Sequence, residues 1–189
     1  GVILAVMAEF GISQSLAASI AVPCFVLYGV GAIPAGLCTD RRGAREMLTV
    51  FFFLVALACA TIVAAQSVCG LAVGLTLLGA SISIYHPAGL AMLSHGCRAR
   101  GRAMGLNGVA GSLGVALGPA LGIFCSMYFG WRVTYGIIAT LALIGGVISV
   151  SLPLRTFSVQ TAPSASRVQT KAAPLTLRSV RCRRHRPSR

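Results

Sequence analysis

A histidine inside a long apolar run is the residue of this sequence best suited to chemistry. Residues 81–87 read Ser-Ile-Ser-Ile-Tyr-His-Pro. Because histidine titrates near neutral pH, His86 is a candidate to carry a proton or to bind a substrate within the membrane. Tyr28, Tyr85 and Asn107 are candidates for the same path. The alternative is that His86 lies near the end of its helix and bonds a neighbouring carbonyl group.

Two serines near this histidine suggest a second chemistry, nucleophilic hydrolysis by Ser81 or Ser83. Ser83 and His86 are three residues apart, a spacing that brings two side chains together on one face of a helix. No glycine pattern typical of an oxyanion hole accompanies them, however, and no third residue orients the histidine. The sequence therefore predicts that the protein is not an enzyme. The cysteines and histidines also lack metal-ligand spacing, so neither a metal nor a cofactor is expected.

A charged stretch, residues 36–45, combines three arginines with one of the three acidic residues of the chain. Its candidate functional residues are Gly36, Asp40, Arg41, Gly43 and Arg45. Gly36 would let two helices approach closely, and Gly43 would relieve the backbone of a tight turn. Asp40 could bind a cation or a helix N-terminus in one conformation and release it in another. The alternative is a loop whose arginines only fix the membrane topology.

A glycine-rich pattern further along the chain predicts close helix packing. Its residues are Gly111, Gly114, Gly118, Pro119 and Gly122. A spacing of four places the last three glycines on one face of a helix, where small residues permit close contact. Pro119 removes a backbone donor and is expected to kink that helix.

The composition is that of a membrane protein. The 189 residues are 56 % hydrophobic and only 10 % charged, whereas soluble domains carry about 25 % charged residues. The mean hydropathy is +0.85. The net charge of +13 does not indicate nucleic acid binding, because most basic residues lie beyond Leu154 or in two short loops. This distribution is typical of loops that stay on the cytoplasmic side of a membrane.

Five apolar runs are long enough to cross a bilayer, which takes about 20 helical residues. These predicted spans are 16–37, 47–65, 70–93, 105–128 and 133–154. Residues 1–7 are interpreted as the outer end of a truncated first helix, so the sequence is expected to begin partway through a longer chain. The predicted fold class is an all-α membrane protein, with a six-helix domain over residues 1–154.

Loop charges predict the orientation of these spans. The loops around Arg41 and Arg100 each carry three arginines, whereas the links at Gln66 and Gly130 carry zero and one. The arginine loops are therefore expected in the cytoplasm. Residues 155–189 lack an apolar period, which predicts a basic, disordered cytoplasmic tail. This tail is either a linker attracted to anionic lipid headgroups or out-of-frame sequence after a deletion.

Two segments of the chain resemble each other at a distance of three helices. Residues 29–36 read Gly-Val-Gly-Ala-Ile-Pro-Ala-Gly, and residues 114–122 read Gly-Val-Ala-Leu-Gly-Pro-Ala-Leu-Gly. Because inverted three-helix repeats are a common way to build transporters, the similarity predicts such repeats within the six-helix domain.

The pattern formed by Gly36, Asp40, Arg41, Gly43 and Arg45 resembles the signature loop between the second and third helices of the major facilitator superfamily of secondary transporters. The resemblance implies that this loop stabilises the outward-facing state through Asp40. The pattern around Pro119 resembles the fifth-helix motif of antiporter members, and Tyr-His-Pro resembles the fosmidomycin-resistance type of drug exporter. Leu75 stands roughly where many proton-coupled members carry an arginine, so the resemblance leaves proton coupling open.

The resemblance implies the N-terminal half of a transporter that exports or exchanges a small molecule by alternating access. Its expected partners are the small-molecule substrate, membrane lipid, and either a missing C-terminal half or a second copy of the chain. Nucleic acid is not expected as a partner. The expected location is a multi-pass position in the cytoplasmic membrane of a bacterium. The alternative function is a non-functional remnant of a disrupted transporter gene.

Overall fold

The structure, a computed structural model, describes residues 2–96 and 99–151, and every regular element in them is an α-helix. In chain order the helices are α1 (Val2–Phe10), α2 (Gln14–Val30), α3 (Ala32–Arg42), α4 (Ala44–Ala64), α5 (Val68–Ile82), α6 (Tyr85–Gly96), α7 (Arg100–Tyr128) and α8 (Trp131–Ser151). The predicted all-α fold is therefore confirmed. The described residues fall in the first of two units of the chain, 1–159. The predicted tail, 155–189, lies outside the described residues.

Four helical segments are long and apolar enough to cross a membrane. They are Ala44–Ala64, Val68–His95, Arg100–Tyr128 and Trp131–Ser151. A fifth candidate is the pair α1 and α2, which bends by 117° at the break between its helices. Gly11 lies at this break with φ 60°. Large apolar side chains are exposed along most of the helices, as expected for surfaces that face lipid rather than water.

Two of the predicted spans are interrupted where single continuous helices were expected. The span 16–37 divides into α2 and α3 at Gly31, and the span 70–93 divides into α5 and α6 at residues 83–84. A proline follows each break within the first turn of the next helix, Pro34 in α3 and Pro87 in α6. Proline has no N–H to donate to the carbonyl group four residues earlier. The two breaks therefore have the same cause.

The loops at the arginine-rich end of the bundle are shorter than predicted. Helix α3 continues to Arg42 and α4 begins at Ala44, so that Gly43 alone separates them. Helix α7 begins at Arg100, inside the predicted second loop, and Arg98 lies outside the described residues. We call this end of the bundle, with the α3–α4 turn and the start of α7, the basic end.

One buried apolar cluster lies along the contact between α4 and α8. Val55 and Cys59 of α4 pack against Ala142 of α8. Further toward the basic end, the ring of Phe52 lies against Gly145 of α8, where an added Cβ would come within 2.7 Å of the ring. A larger residue at this glycine would therefore displace the phenylalanine. The contact fixes how closely the two helices approach.

Candidate functional site

Tyr28 and His86 form a hydrogen-bonded pair between two helices, although they are 58 residues apart in sequence. The atoms Tyr28 Oη and His86 Nε2 are 2.8 Å apart, and the ring centroids are 5.9 Å apart. Tyr28 lies in the last turn of α2 and His86 in the first turn of α6. Both side chains are exposed. The expected alternative, a bond from His86 to a neighbouring carbonyl group, is not the contact that the structure shows.

The other two candidates for the path form a second pair beside the first. Tyr85 Oη donates to Asn107 Oδ1 over 2.8 Å, which joins α6 to α7. The ring of Tyr85 lies 5.7 Å from that of His86 and 5.4 Å from that of Phe51 of α4. The structure thus brings together all four residues that the sequence singled out, and it adds Phe51. We call Tyr28, Phe51, Tyr85, His86 and Asn107 the aromatic–polar cluster.

The two helix breaks meet next to this cluster. A Cβ added at Gly31 would lie 2.6 Å from Oγ and 3.0 Å from Cβ of Ser83, so the break between α2 and α3 contacts the break between α5 and α6. Tyr28 precedes the first break by three residues, and His86 follows the second by three residues. In transporter folds, interrupted helices mark binding sites near the middle of the bilayer. The position of the cluster therefore matches that of a binding site.

The aromatic–polar cluster offers several hydrogen-bonding groups among apolar helices. The amide group of Asn107 carries two N–H donors besides the oxygen that accepts from Tyr85, and the imidazole of His86 has a second ring nitrogen. Polar groups in a membrane span face the interior of a bundle or a water-filled cavity rather than lipid. The arrangement can bind a polar molecule by several hydrogen bonds, with the aromatic rings packing against its apolar surface.

The serines that suggested hydrolysis make other contacts. Ser81 Oγ donates to the carbonyl oxygen of Leu77 over 2.6 Å, and Ser83 Oγ donates to that of Ala80 over 2.7 Å. Both serines are buried, whereas His86 pairs with a tyrosine. The nucleophile–base contact that a hydrolase requires is thus replaced by bonds within the helix. The geometry does not favour an intramembrane hydrolase.

The residues of the charged stretch differ in what they contact. Gly43 has φ 96°, a conformation that favours glycine, and its N–H donates to the carbonyl oxygen of Thr39. Gly36 approaches Pro87 of α6, where an added Cβ would lie at 3.9 Å. These residues shape the turn and its packing. Asp40 and Arg41 are exposed, and the side chain of Asp40 makes no hydrogen bond or ion pair within residues 2–96 and 99–151.

Arg45, the fifth residue of this pattern, contacts a different helix. Its Nη2 donates to the carbonyl oxygens of Ser149 at 3.1 Å and Val150 at 3.3 Å, near the end of α8. The arginine therefore binds the C-terminal end of α8.

The glycine–proline pattern lies on α7 and is packed at one end only. Gly111, Gly114 and Gly118 have open space where a Cβ would be, whereas Gly122 is buried with Val2 Cγ2 at 3.6 Å from its added Cβ. Pro119 lies inside α7, which the structure assigns as one helix. Gly122 thus packs against another described helix, whereas Gly118 borders a cleft that Val2 and Tyr135 also line.

An ion pair at the end opposite the basic end was missed by sequence reasoning. Arg132 Nη1 lies 2.6 Å from Glu9 Oε1, and Trp131 Nε1 donates to Glu9 Oε2 over 2.7 Å. The hydrogen bonds from Arg132 and Trp131 hold the pKa of the Glu9 carboxyl below its ordinary value. A signal was available, because Glu9 and Arg132 have opposite charges and lie in links on the same predicted side of the membrane.

Comparison with known proteins relates the chain to membrane transporters. The family model described as Major Facilitator Superfamily matches residues 1–187. The chain is also similar to a protein described as a probable L-galactonate transporter of Escherichia coli (strain K12), with 25 % identity over 154 residues. That match covers 75 % of this chain and 32 % of the relative. The chain thus spans about a third of the length of the curated relative that it matches.

Proposed function

Because the chain belongs to the major facilitator superfamily, an integral multi-pass membrane family, we propose that it forms part of a secondary transporter for a small polar molecule. The proposed path runs past the aromatic–polar cluster. The observation that carries the proposal is the 2.8 Å hydrogen bond between Tyr28 and His86. This bond links two interrupted helices at the point where their breaks meet.

The chemistry of this bond suits reversible binding. A tyrosine hydroxyl both donates and accepts, so it can pair with either tautomer of a histidine. A hydroxyl or carboxylate group of a substrate can take the place of Tyr28 as partner of His86. Such an exchange costs little, because the net contribution of a hydrogen bond is only about 1 kcal/mol. Binding would then loosen the contact between α2 and α6, and alternating access requires such substrate-dependent contacts.

Two substrate classes are candidates, each with its own support. The similarity to a probable L-galactonate transporter favours a hydroxylated carboxylate, whose oxygens match the donors of His86 and Asn107. The Tyr85-His86-Pro87 sequence, which resembles the fosmidomycin-resistance type of exporter, favours drug efflux. The glycine–proline pattern of α7 adds support for an exchange mechanism. We propose export or exchange as the mode of transport.

We also propose which further helices complete the transporter, how it is oriented and in which membrane it lies. The match to about a third of a longer relative supports a second set of helices, either a C-terminal half or another copy of this chain. The arginines of the basic end support a cytoplasmic position for that end. Together with the bacterial relative, they support location in a bacterial cytoplasmic membrane with residues 155–189 in the cytoplasm.

Exchange of labelled substrate across membrane vesicles tests the function. Vesicles that contain the chain are loaded with unlabelled L-galactonate or fosmidomycin, and the entry of the same labelled compound is followed. We expect His86→Ala to reduce the exchange at least about tenfold, because it removes the central partner of the cluster. The matched control is His95→Ala in the same helix, since His95 Nδ1 contacts Ala91 and Ser94 rather than the cluster.

Two outcomes would contradict the proposal. Exchange that proceeds equally well with His86→Ala and His95→Ala would remove the cluster from the path. The absence of exchange of both compounds, with a chain that is correctly inserted and assembled with a second copy, would count against transport of these two substrate classes.

A further inference from the structure

Helices α4 and α8 carry the same feature at opposite ends of their contact. Each helix is 21 residues long, and each has an arginine as its second residue, Arg45 in α4 and Arg132 in α8. The two helices run antiparallel, because the start of α4 contacts the end of α8 and the start of α8 contacts the end of α4. Each arginine therefore lies beside the C-terminal end of the other helix.

At the basic end, Arg45 binds the last turn of α8. Its Nη2 donates to the carbonyl oxygens of Ser149 and Val150 at 3.1 and 3.3 Å. One turn further along α4, Thr49 Oγ1 lies 2.6 Å from Ser149 Oγ. Two successive turns of α4 thus contact the same turn of α8.

At the opposite end, Arg132 binds the end of α4 in the same manner. Its Nε donates to the carbonyl oxygen of Val63 at 3.1 Å, and its Nη2 donates to that of Ala65 at 2.8 Å. The guanidinium also lies over the ring of Trp131, 4.4 Å from the centroid, and Nη1 binds Glu9. The contacts with Trp131 and Glu9 thus orient the guanidinium group so that it can bind α4.

The electrostatics of a helix explain why this arrangement is reciprocal. An arginine in the first turn faces the positive end of the dipole of its own helix, where a cation is unfavourable, while the last turn favours a cation. Within its described residues, neither α4 nor α8 has a basic residue in its own last turn. The last four carbonyl groups of a helix have no partner within it. Each helix thus supplies the cation that the other lacks.

We propose that Arg45 and Arg132 are a reciprocal pair of helix caps that set the axial register of α4 on α8. A slip of one helical turn, about 5.4 Å, would break the bonds of both arginines at once. The same slip would move Phe52 off Gly145, where the glycine makes room for its ring. The caps and this central contact therefore select one register. They make α4 and α8 a rigid unit within the bundle.

The inverted repeats predicted from the sequence would explain why Arg45 and Arg132 occupy equivalent positions. In that arrangement α4 and α8 are the last helices of the first and second three-helix repeat, so exchanging the repeats exchanges Arg45 with Arg132. The proposal also assigns Arg45 a role apart from the conformational loop in which the sequence placed it. It stands independently of which molecule is transported.

Disulfide formation across the helix pair at the basic end tests the register. Thr49→Cys and Ser149→Cys are combined in the full chain in membranes, and the rate of the 49–149 disulfide under mild oxidation is measured by mass spectrometry. This readout distinguishes it from disulfides of the native cysteines. We expect Arg132→Gln to slow the reaction about tenfold, a factor that corresponds to about 1.4 kcal/mol. Arg132 is at the far end of α8, about 25 Å from the reporting pair, so only a change of register explains such an effect.

Three further variants make the result decisive. Arg45→Gln is expected to slow the reaction to a similar extent, whereas Arg42→Gln removes a charge from the same turn without touching α8 and is expected to leave the rate unchanged. Glu9→Gln keeps the bonds of Arg132 to Val63 and Ala65, and the rate of its disulfide formation should stay within about twofold of the parent.

Equal rates of disulfide formation for the parent and Arg132→Gln would overturn the proposal. If Arg132→Gln fails to insert, Arg132→Lys, which keeps the charge but lacks the fork of donors, must also slow the reaction.

Discussion

The hydrogen bond between Tyr28 and His86 shows how two polar groups in an apolar bundle can satisfy each other and still remain available to a substrate. Both groups are exposed, and the bond joins helices whose backbones are interrupted nearby. A bond of this kind contributes little net energy when another partner is available, but leaving one of its groups without a partner in an apolar setting costs more. The pair is therefore stable without substrate and ready to exchange partners when one enters.

The ion pair of Glu9 with Arg132 leads to a prediction about pH. The pKa of the Glu9 carboxyl is lowered in the folded chain from its ordinary value of 4.5. A lowered folded-state pKa contributes stability that is present above the unfolded value and is lost as the pH falls through the folded value. We expect the melting temperature of the detergent-solubilised chain to fall on acidification from pH 7 to below pH 4.5, and Glu9→Gln to reduce this fall.

A second carboxylate provides the control for the pH experiment. Glu46 is exposed in the first turn of α4, and Glu46→Gln should keep the pH dependence of the parent. The interpretation fails if Glu9→Gln and Glu46→Gln melt with the same pH dependence as each other.

The breaks between α2 and α3 and between α5 and α6 show what the sequence could predict about elements. Apolar runs placed the helices within a few residues, because mean apolarity over about 20 residues is a strong signal. The breaks were not predicted, although Pro34 and Pro87 were visible. A proline in a membrane helix is often tolerated when neighbouring groups satisfy the freed carbonyl. Only the contact of Gly31 with Ser83 shows that the two breaks lie together, and that contact joins residues 52 positions apart.

Gly31 and Gly29 provide a matched pair of substitutions at the first break. A Cβ at Gly31 would lie 2.6 Å from Ser83 Oγ, whereas one at Gly29 would meet nothing within 4 Å. We expect Gly31→Ala to destabilise the chain by about 1–3 kcal/mol, the usual cost of overpacking. Gly29→Ala should be neutral or slightly stabilising, because alanine favours a helix over glycine. Unfolding in mixed micelles with increasing denaturing detergent measures both.

The same two variants connect the break to the proposed path. If the breaks position Tyr28 and His86, Gly31→Ala should also reduce substrate exchange. The double change Gly31→Ala with Ser83→Gly should restore part of it, because it removes the contact with the Ser83 side chain but leaves the contact with the carbonyl oxygen of Leu27. Unaltered stability and exchange in Gly31→Ala would show that the two breaks are not in close contact.

At the scale of the whole molecule, α7 is the helix that the other described residues cover least. Its apolar side chains and three glycines of its pattern face open space. The sequence predicts a glycine stripe along this helix, but it could not show what packs there, because spacing describes one helix and packing requires two. Four residues of the aromatic–polar cluster were singled out from the sequence, and their role in a transport path stays a prediction. These four are polar groups among apolar ones, and polar groups in a membrane gather where lipid is absent.

Two glycines of this pattern, eight residues apart on one face, separate the stability of the chain from its assembly. Gly114 has open space around it, so Gly114→Leu should change the unfolding free energy of the isolated chain by no more than about 0.5 kcal/mol. Gly122 is buried beside Val2, and Gly122→Leu should cost about 1–3 kcal/mol.

If the open face meets a second set of helices, as the proposed transporter requires, Gly114→Leu should nevertheless abolish substrate exchange. It should also reduce association of the chain in lipid nanodiscs, measured by native mass spectrometry. Normal exchange and unchanged association in Gly114→Leu would mean that lipid alone covers this face, since a leucine is as acceptable to lipid as a glycine but not to a closely packed helix.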